Sequence, residues 1–569
     1  MTTKPPAKPS LKLTRGGFAY PGTTLDYKTG SWRIQRPEHE HRQAPCHTAC
    51  PAGEDPQAYI ALLDEGKKRQ AWELLVSVNP MPAITGRVCP HPCESGCNRG
   101  QYDEPLAIHS IERFLGDRAI AKNWAYPVTA PPADAAHVAV IGAGPAGLSA
   151  AYHLLRQGLQ VTVFDELSEA GGTLFTIPDY RLPREVVRNE IARLLATGVS
   201  FKSNQKLGRN IHLKDLQQEY AAIFLAPGVM KSSEWNVDGV IPNDLHQGLH
   251  LLKQWSDVAS VPEMKTAAVI GGGNTAIDIA RILKRNGVDT HIVIHSSLPD
   301  PEHPSAEDMR AIPREIQQAL EEGVQIHDHH GVKRLILRGE KLTGIEIVRM
   351  RKLPDDNGRL HRVAFEGTES ILHVDQVIPA IGQVIEPTGM ENLLDGGNYF
   401  KVDDWGRLAN KDKLYAGGDA IEGNGGTVTE AVGNGRVSAL AIAAQIRNKK
   451  LPAIKQAQPI TFESLNMEYF EPARRSEQEI LPVKERVGET EIECGLSKRQ
   501  AASEAHRCFA CGNCLRCDNC WTLCPDSAVL KTDETNADGS YYVFDYDYCK
   551  GCGLCAVECP TGYISIVSE

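Results

Sequence analysis

Sixteen cysteines punctuate this chain, and none lies between Cys97 and Cys494. They crowd the two ends of 569 residues. Near one end two runs repeat, Cys514-x2-Cys517-x2-Cys520-x3-Cys524-Pro525 and Cys549-x2-Cys552-x2-Cys555-x3-Cys559-Pro560. In a small secreted chain such cysteines read as a disulfide framework. This chain is long, and Met1 to Arg15 carries Pro and Lys but no apolar stretch of a secretory signal. Here Cys-x2-Cys repeats read as metal ligands.

The repeats have the spacing of two-cluster bacterial ferredoxins, in which each fourth cysteine serves the other cluster. One 4Fe–4S cluster is expected on Cys514, Cys517, Cys520 and Cys559. The other is expected on Cys549, Cys552, Cys555 and Cys524. Zinc is the simpler alternative, but two matching copies with trailing prolines count against it.

The cysteine-free middle alternates short apolar strands with helical stretches, as parallel α/β domains do. His137 to Ile141 is one such strand. It runs into Gly142, Gly144, Pro145, Ala146 and Gly147, then into a helix from Leu148. A second strand, Gln160 to Phe164, ends at Asp165. This is G-x-G-x-x-G in its proper setting. The first glycine makes the turn, the second admits a pyrophosphate, the third lets helix pack on strand, and the acid accepts from a ribose hydroxyl. Far downstream, Tyr415 to Ala420 brings Gly418 and Asp419, followed by Gly425 to Arg436. This resembles the second FAD fingerprint of two-dinucleotide-binding flavoproteins. The resemblance gives Asp419 the flavin ribityl chain and points the helix at Thr427 and Val428 toward the flavin. Leu225 to Gly228 resembles the crossover of that family, with Pro227 a departure.

A second fingerprint, G-x-G-x-x-A, runs through Gly271, Gly273, Asn274, Thr275 and Ala276. It should bind a nicotinamide nucleotide. The following strand ends at His295-Ser-Ser297. An acid there would favour NAD and an arginine NADP; neither is present, and the missing guanidinium tilts the reading toward NAD(H). His295 reads equally well as an ordinary strand-end residue. The middle has no Cys-x2-Cys pair, which counts against a disulfide-reductase mechanism. The cofactors carry the chemistry, so no side chain is assigned as a catalytic acid or base.

Near the other end stand Cys46-x3-Cys50-Pro51, then Cys89, Cys93 and Cys97, then Ile108 to Arg113 with Glu112. With the two nucleotide sites these resemble the glutamate synthase small-subunit family, over about residues 40–450. The same module forms the N-terminal half of dihydropyrimidine dehydrogenase and the large subunit of NADH-dependent ferredoxin:NADP oxidoreductase. Gly171-Gly172, Arg181-Leu-Pro183 and Val377 to Gly382 support the resemblance, which implies cofactor contacts at Gly172, Arg181, Gly228 and Gly382. It also implies two 4Fe–4S clusters beside the FAD. One is complete: Cys50, Cys89, Cys93 and Glu112. The other keeps only Cys46 and Cys97, because Glu38 to Arg42 stands where the family has Cys-x2-Cys. Glu504-Ala-His-Arg-Cys508-x2-Cys511-Gly512 resembles the missing segment, displaced to the other end. The expectation is a cluster on Cys46, Cys97, Cys508 and Cys511, within one chain or between two. It leaves only Cys494 without a role. The alternative is that Cys508 and Cys511 are plain thiols.

The fold class expected is α/β. A helical iron–sulfur domain (38–130) follows an extended arm (1–37). An FAD-binding domain (131–255 and 385–450) holds an inserted NAD(P)-binding domain (256–384). A crossing linker (451–505) leads to an α+β ferredoxin-like domain (506–569). Length and 41% hydrophobic residues agree with three to four domains. No run of about 18 apolar residues suggests a membrane span, and a net charge of −11 disfavours nucleic acid. The expected location is cytoplasmic.

The leading functional expectation is a subunit of a hetero-oligomer that moves electrons between NAD(P)H, FAD and 4Fe–4S clusters. The ferredoxin-like end would be the port to a soluble ferredoxin or a catalytic redox partner, such as a 2-oxoacid, aldehyde-oxidising or aromatic-reducing enzyme or a sulfite-reductase system. A glutamate synthase small subunit is the second reading, weakened by the ferredoxin-like extension. A redox sensor without turnover is the third, weakened by two intact nucleotide fingerprints.

Overall fold

The strand–loop–helix units around Gly142 and Gly271 each nucleate a parallel sheet in the computed structural model. It describes residues 27–569 apart from 41, 239–244, 301–302, 355–359, 395, 410, 452–457 and 537–538. Residues 1–26, most of the expected extended arm, lie outside the described residues. Two compact units emerge. The larger runs from Cys46 through 451 and takes in Ala473–Cys508; the smaller joins the stretches ending at Pro45 and Pro472 to Phe509–Glu569.

The larger unit begins with helices. Asp55 accepts from the Ala58 amide at 3.1 Å and so caps Pro56–Asp64; Lys68–Val76 follows. Tyr59, Leu63, Trp72, Leu75 and Val76 are buried and form the apolar face of these helices. Helices Pro82–Val88 and Ile108–Ala121 then touch backbone to backbone. A Cβ on Gly86 would sit 2.5 Å from the Arg113 nitrogen, and one on Gly116 would sit 2.3 Å from that of Ala83. Only glycine permits that approach, and it fixes the helices that carry Cys89 and Glu112.

The first parallel sheet has the order Leu414–Ala416, Ala222–Leu225, His137–Ile141, Gln160–Phe164, Ser200–Lys202. The second has the order Gln376–Pro379, Thr266–Ile270, Asp289–Val293, Gln325–His327. Their central strands are apolar and buried on both faces, as strands between helix layers must be. An antiparallel sheet that the sequence pattern did not announce follows: His330–Arg338, Lys341–Pro354, Leu360–Ala364 and Ser370–Leu372. No helix among the described residues is long and apolar enough to cross a membrane.

In the smaller unit, Val529–Lys531 pairs with Tyr542–Phe544, and Gln35–His39 pairs antiparallel with Ile564–Ser568. The second pairing joins stretches more than 500 positions apart in sequence. Reading residues 1–37 as an arm did not anticipate that strand.

Candidate functional site

The first glycine loop lies at the C-terminal end of the central strand His137–Ile141. Gly142 has φ +101°, and a Cβ there would meet the Ala226 carbonyl at 2.1 Å. Gly144 instead looks into open space: a Cβ on it would have nothing within 4 Å. That space is a cavity of about 260 Å³. Gly142, Gly144, Pro145, Ala146, Asp165, Gly172, Gly228, Gly418, Asp419, Thr427 and Val428 line it, all expected at a flavin dinucleotide. Gly147 lies outside it; its Cβ would collide with the Gly142 carbonyl at 1.8 Å, so its role is helix-on-strand packing.

Two helices begin at this cavity. Pro145–Arg156 has proline at its first position, and Val428–Ile446 is capped reciprocally by Thr427 and Glu430. Their N-termini bring partial positive charge and free amides, which suit a pyrophosphate and an electron-accepting ring. They cross closely because a Cβ on Gly435 would lie 2.3 Å from the Ala146 carbonyl.

The two acids differ. Asp165 accepts from the Ala143 amide at 2.6 Å and the Leu167 amide at 2.8 Å, so it first holds its own loop in shape. Burial pushes its carboxyl above the usual range. Asp419 accepts from Asn424 Nδ2 at 3.1 Å. Burial, with the Glu430 charge adding, raises it to about 6. A buried carboxylate so sparsely bonded has capacity left for a hydroxyl, which fits the polyol chain of FAD. Glu166, to which no motif pointed, also lines the cavity and pairs with Lys206 at 2.8 Å.

The second glycine loop opens on the same cavity through Asn274 and Thr275, at the start of helix Asn274–Arg285. Gly271 has φ +139°, and its Cβ would lie 2.3 Å from the Ala380 carbonyl. Gly271, Gly273, Ala276, Gly382 and His295 do not line the cavity. Gly273 faces open space at its own helix N-terminus and Ala276 is fully buried. Gly382 turns at φ +119°, its carbonyl accepting from the Ser233 amide at 3.0 Å. His295 is exposed just past the strand end.

Arg181 reaches the cavity wall, yet its guanidinium is committed to protein. It pairs with Asp278 at 2.7 Å and Glu315 at 3.0 Å, all three side chains buried. The residue expected to touch cofactor therefore ties the flavin segment to the nucleotide helix. Asp278 was missed; its signal was an acid one turn into the helix that follows the second fingerprint.

Cys50, Cys89, Cys93 and Glu112 gather close by. Burial pushes the Cys89 thiol up to about 12, with the Glu112 charge adding; the Thr429 hydroxyl beside it pulls the other way. Burial also pushes Cys93 well up, helped by Glu94, Cys50 and Cys89. Thiols so placed favour the thiolate only beside a cation, as cluster ligands require. Glu112 accepts from Asn79 Nδ2 at 2.9 Å and from the Thr85 hydroxyl; the same Asn79 donates to Glu54 at 2.8 Å. Val88, next to Cys89, lines the flavin cavity. The cysteine group and the cavity thus share a wall.

Cys46, Cys97 and Cys508 all pack against one hydrophobic core. Helix Lys498–His506 lies on Pro56–Asp64 and Ile108–Ala121. Glu504 accepts from the Ala107 amide at 2.9 Å, Arg507 pairs with Asp103 at 3.1 Å, and Arg99 donates to the Arg507 carbonyl. The displaced Glu504–Cys508 motif is therefore docked on the helical region that carries Cys97. Cys511 follows three positions on and belongs to the smaller unit.

In that unit one cavity is lined by Cys514, Cys517, Cys520 and Cys559, and a second by Cys524, Cys549, Cys552 and Cys555. These are the crossed sets expected from the spacing. Among the described residues no three His, Cys, Asp or Glu side chains converge as a single ion needs. Thiols arranged around a cavity suit a cubane rather than a lone zinc.

Comparison with known proteins agrees with this geometry. The family described as pyridine nucleotide-disulphide oxidoreductase matches residues 136–435. Dihydropyrimidine dehydrogenase domain II, 4Fe-4S cluster, matches 39–124, and the 4Fe-4S binding domain matches 542–564. The chain is 34% identical to the NADP(+)-dependent formate dehydrogenase subunit beta of Moorella thermoacetica, over 82% of this chain and 70% of that one. It is 30% identical to the NADPH-Fe(3+) oxidoreductase subunit beta of Geobacter sulfurreducens (strain DL-1 / KN400), over 86% and 78%. The small chain of the NADPH glutamate synthase of Escherichia coli (strain K12) is 31% identical, over 69% and 87%.

Proposed function

This chain belongs to the pyridine nucleotide-disulphide oxidoreductase family and is an FAD-dependent NAD(P)H oxidoreductase with 4Fe–4S clusters, and from that premise we propose that it is the NADPH-linked electron-transfer subunit of a larger redox complex. The chemistry that FAD would supply here when bound is exchange between two-electron hydride transfer with nicotinamide and one-electron transfer with iron–sulfur clusters. The chain's own residues arrange that exchange. Gly144 and the two helix N-termini admit and neutralise the dinucleotide phosphates, and Asp419 holds the polyol. Asn274 and Thr275 open the nicotinamide side onto the same cavity. Val88 and Thr429 bring the Cys89 cluster site against the flavin.

The observation that carries this reading is the single cavity lined by both Asp419 and Asn274–Thr275, with Val88 in its wall. We assign one cluster to Cys50, Cys89, Cys93 and Glu112, and two to the crossed cysteine sets of the ferredoxin-like unit. A fourth goes to Cys46, Cys97, Cys508 and Cys511. The last rests on the docking of Glu504–Cys508 beside Cys97. The relatives named for NADP(H) move the nucleotide preference from NAD(H), toward which the missing guanidinium tilted it, to NADPH. The partner is a catalytic subunit that exchanges electrons with the ferredoxin-like unit. A formate dehydrogenase or an Fe(3+)-reducing enzyme, as in the names of the relatives, enters beside the 2-oxoacid and aldehyde oxidoreductases.

The test is reduction of a viologen dye by NADPH against NADH, with flavin and iron counted in the same sample. NADPH turnover with bound FAD supports the reading; a flavin-free protein without turnover overturns it. Cys508→Ser/Cys511→Ser should lose about four irons, one cluster's worth. Unchanged iron content would sink the fourth cluster alone.

A further inference from the structure

The nucleotide strand Asp289–Val293 ends without the arginine that ordinarily grips a 2′-phosphate, and its neighbours in sequence do not replace it. The antiparallel sheet does come to this strand end. The His330 amide donates to the Ile294 carbonyl at 2.8 Å, and the His329 amide to the Ser296 carbonyl at 3.0 Å. These bonds fasten the sheet to both sides of His295. Farther along, Lys352 and Arg362 are register partners on adjacent antiparallel strands. Their side chains therefore share a face, and like charges directly opposite each other are destabilising unless something lies between them. Both cations are near enough to His295 that, after burial, they are the charges holding its imidazole below the ordinary range.

Two neighbouring acids among the described residues are already engaged. Glu307 pairs with Lys352 at 3.1 Å, and Asp308 accepts from the Ser297 hydroxyl at 2.8 Å. Arg362 is exposed and has no carboxylate partner among the described residues. One cation is thus held in reserve by an acid and the other is uncommitted. Arginine's planar fork suits two phosphate oxygens at once, and lysine adds a point charge.

We propose that Arg362 and Lys352, together with His295, form the 2′-phosphate grip of the NADPH site. Specificity is then supplied by the antiparallel sheet rather than by the fingerprint strand. This rests on the NADPH reading above and names the residues that produce it. A charge-assisted bond to phosphate is worth enough that removing Arg362 should cost about tenfold or more in affinity for a 2′-phosphorylated nucleotide.

The experiment uses the holoenzyme and two probes, 2′,5′-ADP and 5′-AMP, with binding measured by calorimetry. Arg362→Ala should weaken 2′,5′-ADP about tenfold or more relative to 5′-AMP. The ratio of kcat/KM for NADPH over NADH should fall in parallel. Arg362→Lys should recover part of the loss, and Lys333→Ala, a surface cation on the same sheet, should leave the ratio alone. If wild type itself prefers NADH, the NADPH reading fails. If wild type prefers NADPH and both Arg362→Ala and Lys352→Ala keep the ratio, this inference fails and that reading stands. A loss shared equally by the two probes would also overturn it, because a merely structural role moves both alike.

Discussion

The two glycine loops carry nearly the same fingerprint but are finished differently. At the first, the acid at the end of the neighbouring strand bends back to its own loop, Asp165 accepting from the Ala143 amide. The loop and the acid that holds it come from one strand–loop–helix–strand unit. At the second, Ile294 stands at the corresponding register position and has no carboxylate to make such a bond. That loop is braced from farther along the chain: the Ala311 amide donates to the Gly272 carbonyl at 3.0 Å, and the Ile312 amide to Asn274 Oδ1 at 2.9 Å. Both loops take a backbone brace from later in the chain, the first from the Gly171 amide on the Ala143 carbonyl at 2.9 Å, but only the first is also held by an acid of its own unit. A fingerprint therefore specifies where phosphates sit, whereas the discriminating contacts depend on what packs against it.

Substitutions can break that comparison. The largest effect is expected at Gly142→Ala. Both φ and the 2.1 Å clash with Ala226 forbid a Cβ, so the purified protein should lack flavin absorbance altogether. Gly271→Ala meets a comparable clash with Ala380. It should keep its flavin yet lose on the order of 100-fold or more in NADPH-driven dye reduction, about 3 kcal/mol. Loss of flavin there would mean the two loops are not independent. Arg181→Met tests the link between them. It strands Asp278 without its guanidinium, while Glu315 keeps Arg281, and breaking such a buried pair costs about 3–5 kcal/mol. Denaturant unfolding should show that loss, with a smaller loss in the double variant Arg181→Met/Asp278→Leu.

The smallest effect concerns pH. In the apoprotein Asp419 titrates at about 6 against a reference of 3.8, mainly through burial. An acid raised on folding contributes stability that is complete below its unfolded value and lost as pH rises through the folded one. Apoprotein stability should therefore decline between about pH 4 and 6. Asp419→Asn should remove the decline and stabilise the flavin-free protein at pH 8 by about 2 kcal/mol or less, while weakening FAD retention. Chemical denaturation of deflavinated samples across that range reads the effect.

The parts legible in the sequence were those in which chemistry fixes spacing. Cysteine ligands at fixed intervals located both cavities of the smaller unit, crossed fourth cysteines included. Strand, glycine loop and helix located the flavin wall. The Glu-Ala-x-Arg-Cys pattern located a docked helix, because Glu504 and Arg507 bond to the backbone and acids of the helical region. Less was legible where the partner lies far off in sequence. Gln35–His39 is polar and contains Pro37, so neither alternation nor propensity marks a strand; it forms because Ile564–Ser568 offers an edge. Arg181 carried a family expectation, but only the fold shows Asp278 and Glu315 on either side of it. Lys352 and Arg362 flank residues 355–359 and have no motif around them.

The edge between Gln35–His39 and Ile564–Ser568 also sets a schedule. On a ribosome adding roughly 5–20 residues per second, the first of these strands waits about half a minute to two minutes for the second. Its charges and Pro37 suit that wait, since an exposed strand so composed recruits few wrong partners. On the cluster assignment proposed above, each crossed set takes thiols from both runs, so neither cavity can be filled until the second run has been made. Delivery of iron and sulfide to this unit is accordingly a late event, and a cell short of either would accumulate a chain whose flavin half is finished and whose outlet is not.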